Sequence, residues 1–200
     1  MSQLFETIKI FNGKIFNLQY HNRRMNNSRK ILLGLENEID LSEFIRIPEK
    51  FRSSLVKCKV VYSDEIQSID LSEYRIRKID SLKIVECNDI VYDHKFLNRE
   101  KLDELKVKNV QSPSQDILIV KNGMITDTSY SNVVLFNGTN WFTPSTSLLK
   151  GTKRASLLDE NQIHETEIKL KDLKNYQKIK LINAIIDLDE SPEIYLESVI

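Results

Sequence analysis

The chain has 200 residues, with 29 Lys and Arg against 29 Asp and Glu, 40% apolar residues and a formal net charge of zero. That balance suits a folded protein of one domain or two small ones, and it lacks the basic excess of a general nucleic-acid or acidic-membrane binder. No run of about 18 apolar residues and no basic-then-apolar leader occurs, so a cytoplasmic protein without membrane spans is expected.

In chain order, LFETIKIFNGKIFNL reads as a hairpin turning on Asn12-Gly13, the strongest short turn signal. A helical period runs from Gln19 to about Leu35, with Gly34 as its stop, and a second helix over Leu41 to Ser54 is interrupted by Pro48. KCKVVYS and EIQSIDLSEYRIR alternate as two strands, and SLKIVECN extends the β character to about residue 88. FLNREKLDELKVKNV predicts a helix with Leu97, Leu102 and Leu105 on a partial apolar face. Hairpins follow on Asn122-Gly123 and near Asn137-Gly138, then a helix after Gly151, and EIKLKDLKNYQKIKLINAIIDL gives a strand, a short helix and another strand. The reading is two α/β lobes, a small one over 1–88 and a larger one over 89–200, joined around residues 86 to 93.

Four local features carry chemistry. Gly151-Thr152 opens a helix, where free N–H groups and a hydroxyl can hold a phosphate, or Thr152 can simply cap the helix. His21-Asn22-Arg23-Arg24 offers arginine to a phosphate or carboxylate, or is a solvated helix face. TDTSYSN, residues 126 to 132, joins one acid to several hydroxyls and an Asn, as a site or as a polar turn. Lys95, between His94 and Phe96, is either an amine nucleophile near other cations or a surface lysine. Cys58 and Cys87 lack metal-ligand spacing and are read as free buried thiols, with one disulfide as the alternative. His21, His94 and His164 form no metal-binding pattern, so no metal is expected.

The order YxxKxLNR, GxITDTSxSN and TPxxxLLxGTxR, preceded by HxxR, resembles the class IV aminotransferase family, over nearly the whole chain from FETIK at residue 5 to INA at residue 184. The resemblance implies the α/β, two-lobed architecture of the fold type IV pyridoxal-phosphate enzymes, like D-amino-acid aminotransferase, with the cofactor in the interlobe cleft. It implies that Lys95 links covalently to pyridoxal 5'-phosphate and then serves as general base at Cα. Asp127 takes the acidic position, usually Glu, that pairs with the pyridine nitrogen. Arg24, Gly151 and Thr152 match the phosphate contacts, Ser131 and Asn132 the turn beside the cofactor, and Arg154 a supporting arginine.

Known family members are longer, and the difference lies before Lys95, so the substrate carboxylate clamp does not transfer. Arg75 and Arg77 of YRIR are candidates, read as two side chains on one strand face, or as solvated edge charges; Arg99 is a third candidate. Lys-x-Leu-Asn-Arg, ending in Arg99, is similar to aminodeoxychorismate lyases, which eliminate pyruvate from 4-amino-4-deoxychorismate to give 4-aminobenzoate for folate synthesis. The alternatives are an aminotransferase of branched-chain or D-amino acids and, more remotely, an inactive scaffold relative. A small-molecule amino substrate and a homodimer are implied, with no nucleic acid or membrane partner.

Overall fold

Asn12 and Gly13 adopt φ of 49° and 70°, the left-handed pair that a tight hairpin turn demands, and join strand β1 (Leu4–Phe11) to β2 (Lys14–Ile15). The computed structural model describes residues 3–200. Helix α1 (Leu18–Leu33) follows, ending where Gly34 turns left-handed at φ 69° and donates its N–H back to the last turn. His21, Met25, Ser28 and Arg29 are its buried residues, a stripe at the spacing of one helical face. The expected helix over 41–54 forms only as two single 3-10 turns, Leu41–Glu43 and Glu49–Phe51. Pro48, with no N–H to give, stands at the cap of the second turn and separates it from the first.

Strands β3 (Leu55–Tyr62) and β4 (Ile66–Glu73) complete an antiparallel sheet in the order β2-β1-β3-β4. One face of β1 and β3 presents Leu4, Ile8, Ile10, Val56, Cys58, Val60 and Tyr62, all fully buried in one core with Met25 and Leu41. β4 stops at Glu73, so Arg75 and Arg77 lie in an irregular exposed segment and not on a strand face. His94–Asn98 belongs to this first unit, which otherwise comprises the chain up to Ile76. The segment lies against β1: Phe5 N donates to Lys95 O, Leu97 N donates to Gln3 O, and Leu4 bridges Phe96. The expected helix therefore begins five residues past Lys95, as α2 (Glu100–Asn109).

The second unit, Arg77–Asp93 with Arg99–Ile200, contains two sheets. β5 (Ser81–Glu86) runs parallel to β6 (Gln115–Lys121), which turns through Asn122 and Gly123, again at positive φ, into β7 (Met124–Ile125). The other sheet has the order β10-β9-β8-β11-β12, built from β8 (Asn132–Phe136), β9 (Trp141–Pro144), β10 (His164–Thr166), β11 (Lys178–Ile182) and β12 (Ile194–Tyr195). Helix α3 (Thr152–Asp159) lies between β9 and β10 in the chain, and a 3-10 stretch at Leu170–Asn175 precedes β11. Leu82, Leu118 and Ile125 from the first of these sheets share a core with Val133, Leu135, Ile179 and Leu181 from the second. Both cysteines are free and buried. Among the described residues no helix is long and apolar enough to cross a membrane.

Candidate active site

In the first unit, Glu6 lies in phase with Leu4, Ile8 and Ile10 and is therefore carried into the core. A buried carboxylate needs donors, and α1 supplies them. His21 Nδ1 lies 2.6 Å from Glu6 Oε2, while Arg24 donates from Nε to Oε1 at 2.8 Å and from Nη2 to Oε2 at 2.5 Å. Burial alone would raise the Glu6 carboxyl, but the Arg24 guanidinium and His21 outweigh it and hold its pKa at about 2. Burial pushes the His21 pKa down, against the pull of Glu6, which favours the neutral ring. The positive charges of Arg24 and Lys95 both act on His21 in the same direction. The structure thus brings Arg24 and Lys95 into one electrostatic neighbourhood, with Lys95 Nζ 4.4 Å from the centre of the Phe5 ring. The adjacent His94 shares a hydrogen bond of 2.9 Å with Ser28 of α1.

In the second unit, the turn from β7 to β8 gathers Asp127, Ser131 and Asn132. Thr128 binds both the N–H and the carbonyl of Ser131, which closes the turn and bridges Asp127 to Asn132. Asp127 is buried; its Oδ1 accepts from Asn132 Nδ2 at 2.8 Å and its Oδ2 from the Leu149 N–H at 2.9 Å. Burial raises the Asp127 pKa to about 6, although those two donors and Arg154 pull it down. The Leu148 N–H also acts on this carboxylate, and with about four acceptor sites on its two oxygens room for a further donor remains. Ser131 accepts from Asn183 at 3.0 Å.

Gly151 caps α3, and no side chain caps the helix. A Cβ on Gly151 would stand 2.0 Å from Asn132 Oδ1, so only glycine lets the α3 terminus approach the Asp127 turn this closely. The first turn of α3 contains no acid, which leaves its positive end suited to an anion. Arg154 is 4% exposed and binds the Pro144 carbonyl and Glu165, so it holds the β9–α3 connection. Asp127, Ser131, Asn132, Gly151 and Thr152 therefore form one cluster. An acid with spare lone pairs beside a glycine-gated helix terminus fits the ring nitrogen and phosphate of pyridoxal phosphate.

Arg75 belongs to the first unit and Arg77 to the second, and both are exposed. Arg99 donates to the Ser129 carbonyl at 2.5 Å, which commits it to the turn that carries Asp127. Glu6 is the residue that the motifs do not single out. Its signal is an acid in phase with three apolar residues on a strand, followed by HxxR on a helix. Among the described residues no group of three or more His, Cys, Asp or Glu could hold a metal ion.

Comparisons with known proteins match this chain to a family. The model for "Amino-transferase class IV" matches residues 3–53 and 60–188. An uncharacterized Haemophilus influenzae protein is 35% identical over 187 residues, covering 92% of this chain and 98% of that one. A Schizosaccharomyces pombe protein named "Putative aminodeoxychorismate lyase" is 28% identical over 200 residues, covering 92% of this chain and 86% of that one. A Haemophilus somnus crystal structure, described as a "putative 4-amino-4-deoxychorismate lyase", superposes with a TM-score of 0.86 at 31% identity, covering 94% of this chain and 98% of that one. The Escherichia coli branched-chain amino acid aminotransferase superposes with a TM-score of 0.73 at 16% identity, a likeness of fold alone, over 99% of this chain but 76% of that one. The chain is thus shorter than that enzyme and of nearly the same length as the Haemophilus proteins.

Proposed function

This chain belongs to the class IV aminotransferase family of pyridoxal-phosphate-dependent enzymes, and we propose that within it the protein is a 4-amino-4-deoxychorismate lyase. The observation that carries the reading is Arg99. It completes Lys-x-Leu-Asn-Arg and fixes the turn of the ring-nitrogen acid by donating to Ser129 O. The names of the fission-yeast and Haemophilus somnus proteins support the same reaction.

When bound, the cofactor supplies an electron sink for a carbanion next to the amine. The chain's own residues do the rest. Lys95 would hold the cofactor covalently, and its amine, once free, would be the base that takes the proton from the carbon bearing the substrate amine. The electron pair left by that proton would form the ring double bond as the C–O bond on the neighbouring carbon breaks; the enolpyruvate that leaves takes up a proton to become pyruvate, and the aromatic ring of 4-aminobenzoate remains. Asp127 would keep a proton on the ring nitrogen. Arg24, and separately the N-terminus of α3 at Gly151 and Thr152, would be the phosphate contacts, while Ser131 and Asn132 would set the turn beside the ring. The enzyme works as a cytoplasmic homodimer that feeds folate synthesis.

Purified holoprotein given aminodeoxychorismate is expected to yield pyruvate and 4-aminobenzoate in equal amounts. A panel of D- and L-amino acids with 2-oxoglutarate or pyruvate is the counter-test. New keto acids without 4-aminobenzoate would make the protein an aminotransferase, and a colourless protein that takes up no cofactor would make it a scaffold.

A further inference from the structure

The core-facing side of β1 and β3 is apolar but for Glu6; their other side is not. The register pairs Phe5 with Val61, Thr7 with Lys59 and Lys9 with Lys57, and directly opposed residues share a face. Lys9, Lys57 and Lys59 therefore stand on one side of β1 and β3, with Lys9 and Lys57 directly opposed. Like charges in opposed positions destabilise a sheet. β4 adds one acid to this face, Asp70 opposite Lys59. Asp70 instead accepts from Ser68 at 3.2 Å, and among the described residues neither Lys57 nor Lys59 forms an ion pair.

The two ammonium groups are instead extended over aromatic rings. Lys57 Nζ lies 5.9 Å from the Tyr74 ring and Lys59 Nζ 5.6 Å from the Phe5 ring. Lys95 lies over the same Phe5 ring at 4.4 Å, which places the Lys59 and Lys95 nitrogens no more than about 10 Å apart. A small molecule attached at Lys95 can thus extend a charged group as far as Lys59.

We propose that Lys57 and Lys59, beside Phe5, form a cationic shelf that binds a carboxylate of the small anionic substrate handled at Lys95. The proposal rests on the reading of this protein as a pyridoxal-phosphate enzyme, and it moves the carboxylate contact from Arg75, Arg77 and Arg99 to the face of the sheet. Two lysines on one sheet face without an ion pair are a local departure from stability rules, of the kind that folded proteins retain at functional sites. Phe5 gives the carbon skeleton of the ligand an apolar floor between the two charges.

The test uses holoprotein, so that the phosphate anchors are filled, and succinate as an unreactive dicarboxylate probe. Calorimetry is expected to show saturable succinate binding and none of its neutral dimethyl ester. In the Lys57→Gln/Lys59→Gln double variant the affinity is expected to fall about tenfold or more, and in Lys57→Arg/Lys59→Arg it is expected to persist. With turning-over substrate, the glutamine pair raises KM and leaves kcat nearly unchanged. Wild-type protein that ignores succinate, or a glutamine pair with a normal circular dichroism spectrum and unchanged affinity, overturns the shelf. Succinate binding that depends on the lysines, in a protein that releases no 4-aminobenzoate, keeps the shelf and removes the lyase reading. Lyase turnover with KM and succinate affinity untouched by the glutamine pair does the reverse.

Discussion

Asp127 is where burial and chemistry oppose each other most directly. Its folded pKa of about 6 stands above the ordinary 3.8, so the protonated carboxyl is the form that folding favours in the bare protein. The stability this gives is complete below about pH 4 and is lost as pH rises through about 6. A protonated ring nitrogen beside the carboxylate reverses the preference, so cofactor affinity should fall as pH drops below 6. Asp127→Asn is expected to flatten both dependences and to slow proton removal at Cα by orders of magnitude. Cofactor titrations at pH 5 and pH 8 on both proteins check this, and identical pH profiles would remove Asp127 from the ring nitrogen.

Arg24 poses a different problem, because one edge of its guanidinium is already committed to Glu6. That commitment fixes the orientation of the group, and its charge is what a phosphate would meet. Arg24→Ala should weaken cofactor binding about ten- to a hundredfold, with less effect on the bound enzyme. An unchanged dissociation constant would place the phosphate elsewhere. The sequence displays Arg24 through HxxR, but Glu6 becomes visible only when the strand phase is combined with the following helix.

Among the elements, the hairpins were legible because their chemistry is local. Asn12-Gly13 and Asn122-Gly123 occupy left-handed positions that few other residue pairs tolerate. The segment around Lys95 was not legible in the same way. Its pairing partner, β1, lies some 90 residues earlier, and no local periodicity reports a bridge between Leu4 and Phe96. The 41–54 segment has apolar residues at helical spacing, but only Leu41 and Ile45 are buried, too little to hold a helix across Pro48.

α1 is secured by Arg29, fully buried, which donates to Asn37 O at 2.5 Å and Asp64 O at 2.7 Å and so ties the helix to two loops. Arg29→Met leaves those carbonyls without donors and should cost about 3 kcal/mol, read as a lower denaturant midpoint. A midpoint equal to wild type would show that water replaces the guanidinium.

At the scale of the whole molecule, the family was legible because its motifs are spread over nearly all of the chain, in order. Assembly was not. The first unit exposes Phe11, Phe16, Ile31, Leu32 and Phe44, large apolar side chains on a chain whose zero net charge does not repel a second copy. A symmetric dimer burying part of this surface is expected. Size-exclusion chromatography with light scattering should give twice the chain mass of 23.4 kDa, and a fully active monomer would contradict it.

The central claim is that Lys95 carries the cofactor, and borohydride reduction followed by peptide mass mapping tests it most directly. The yellow holoprotein is expected to bleach, with the phosphopyridoxyl group fixed on the peptide that contains Lys95 and absent from Lys95→Ala, which remains folded. A label on another lysine, Lys59 or Lys9 included, or a Lys95→Ala protein that still forms the reducible yellow species, would contradict the account.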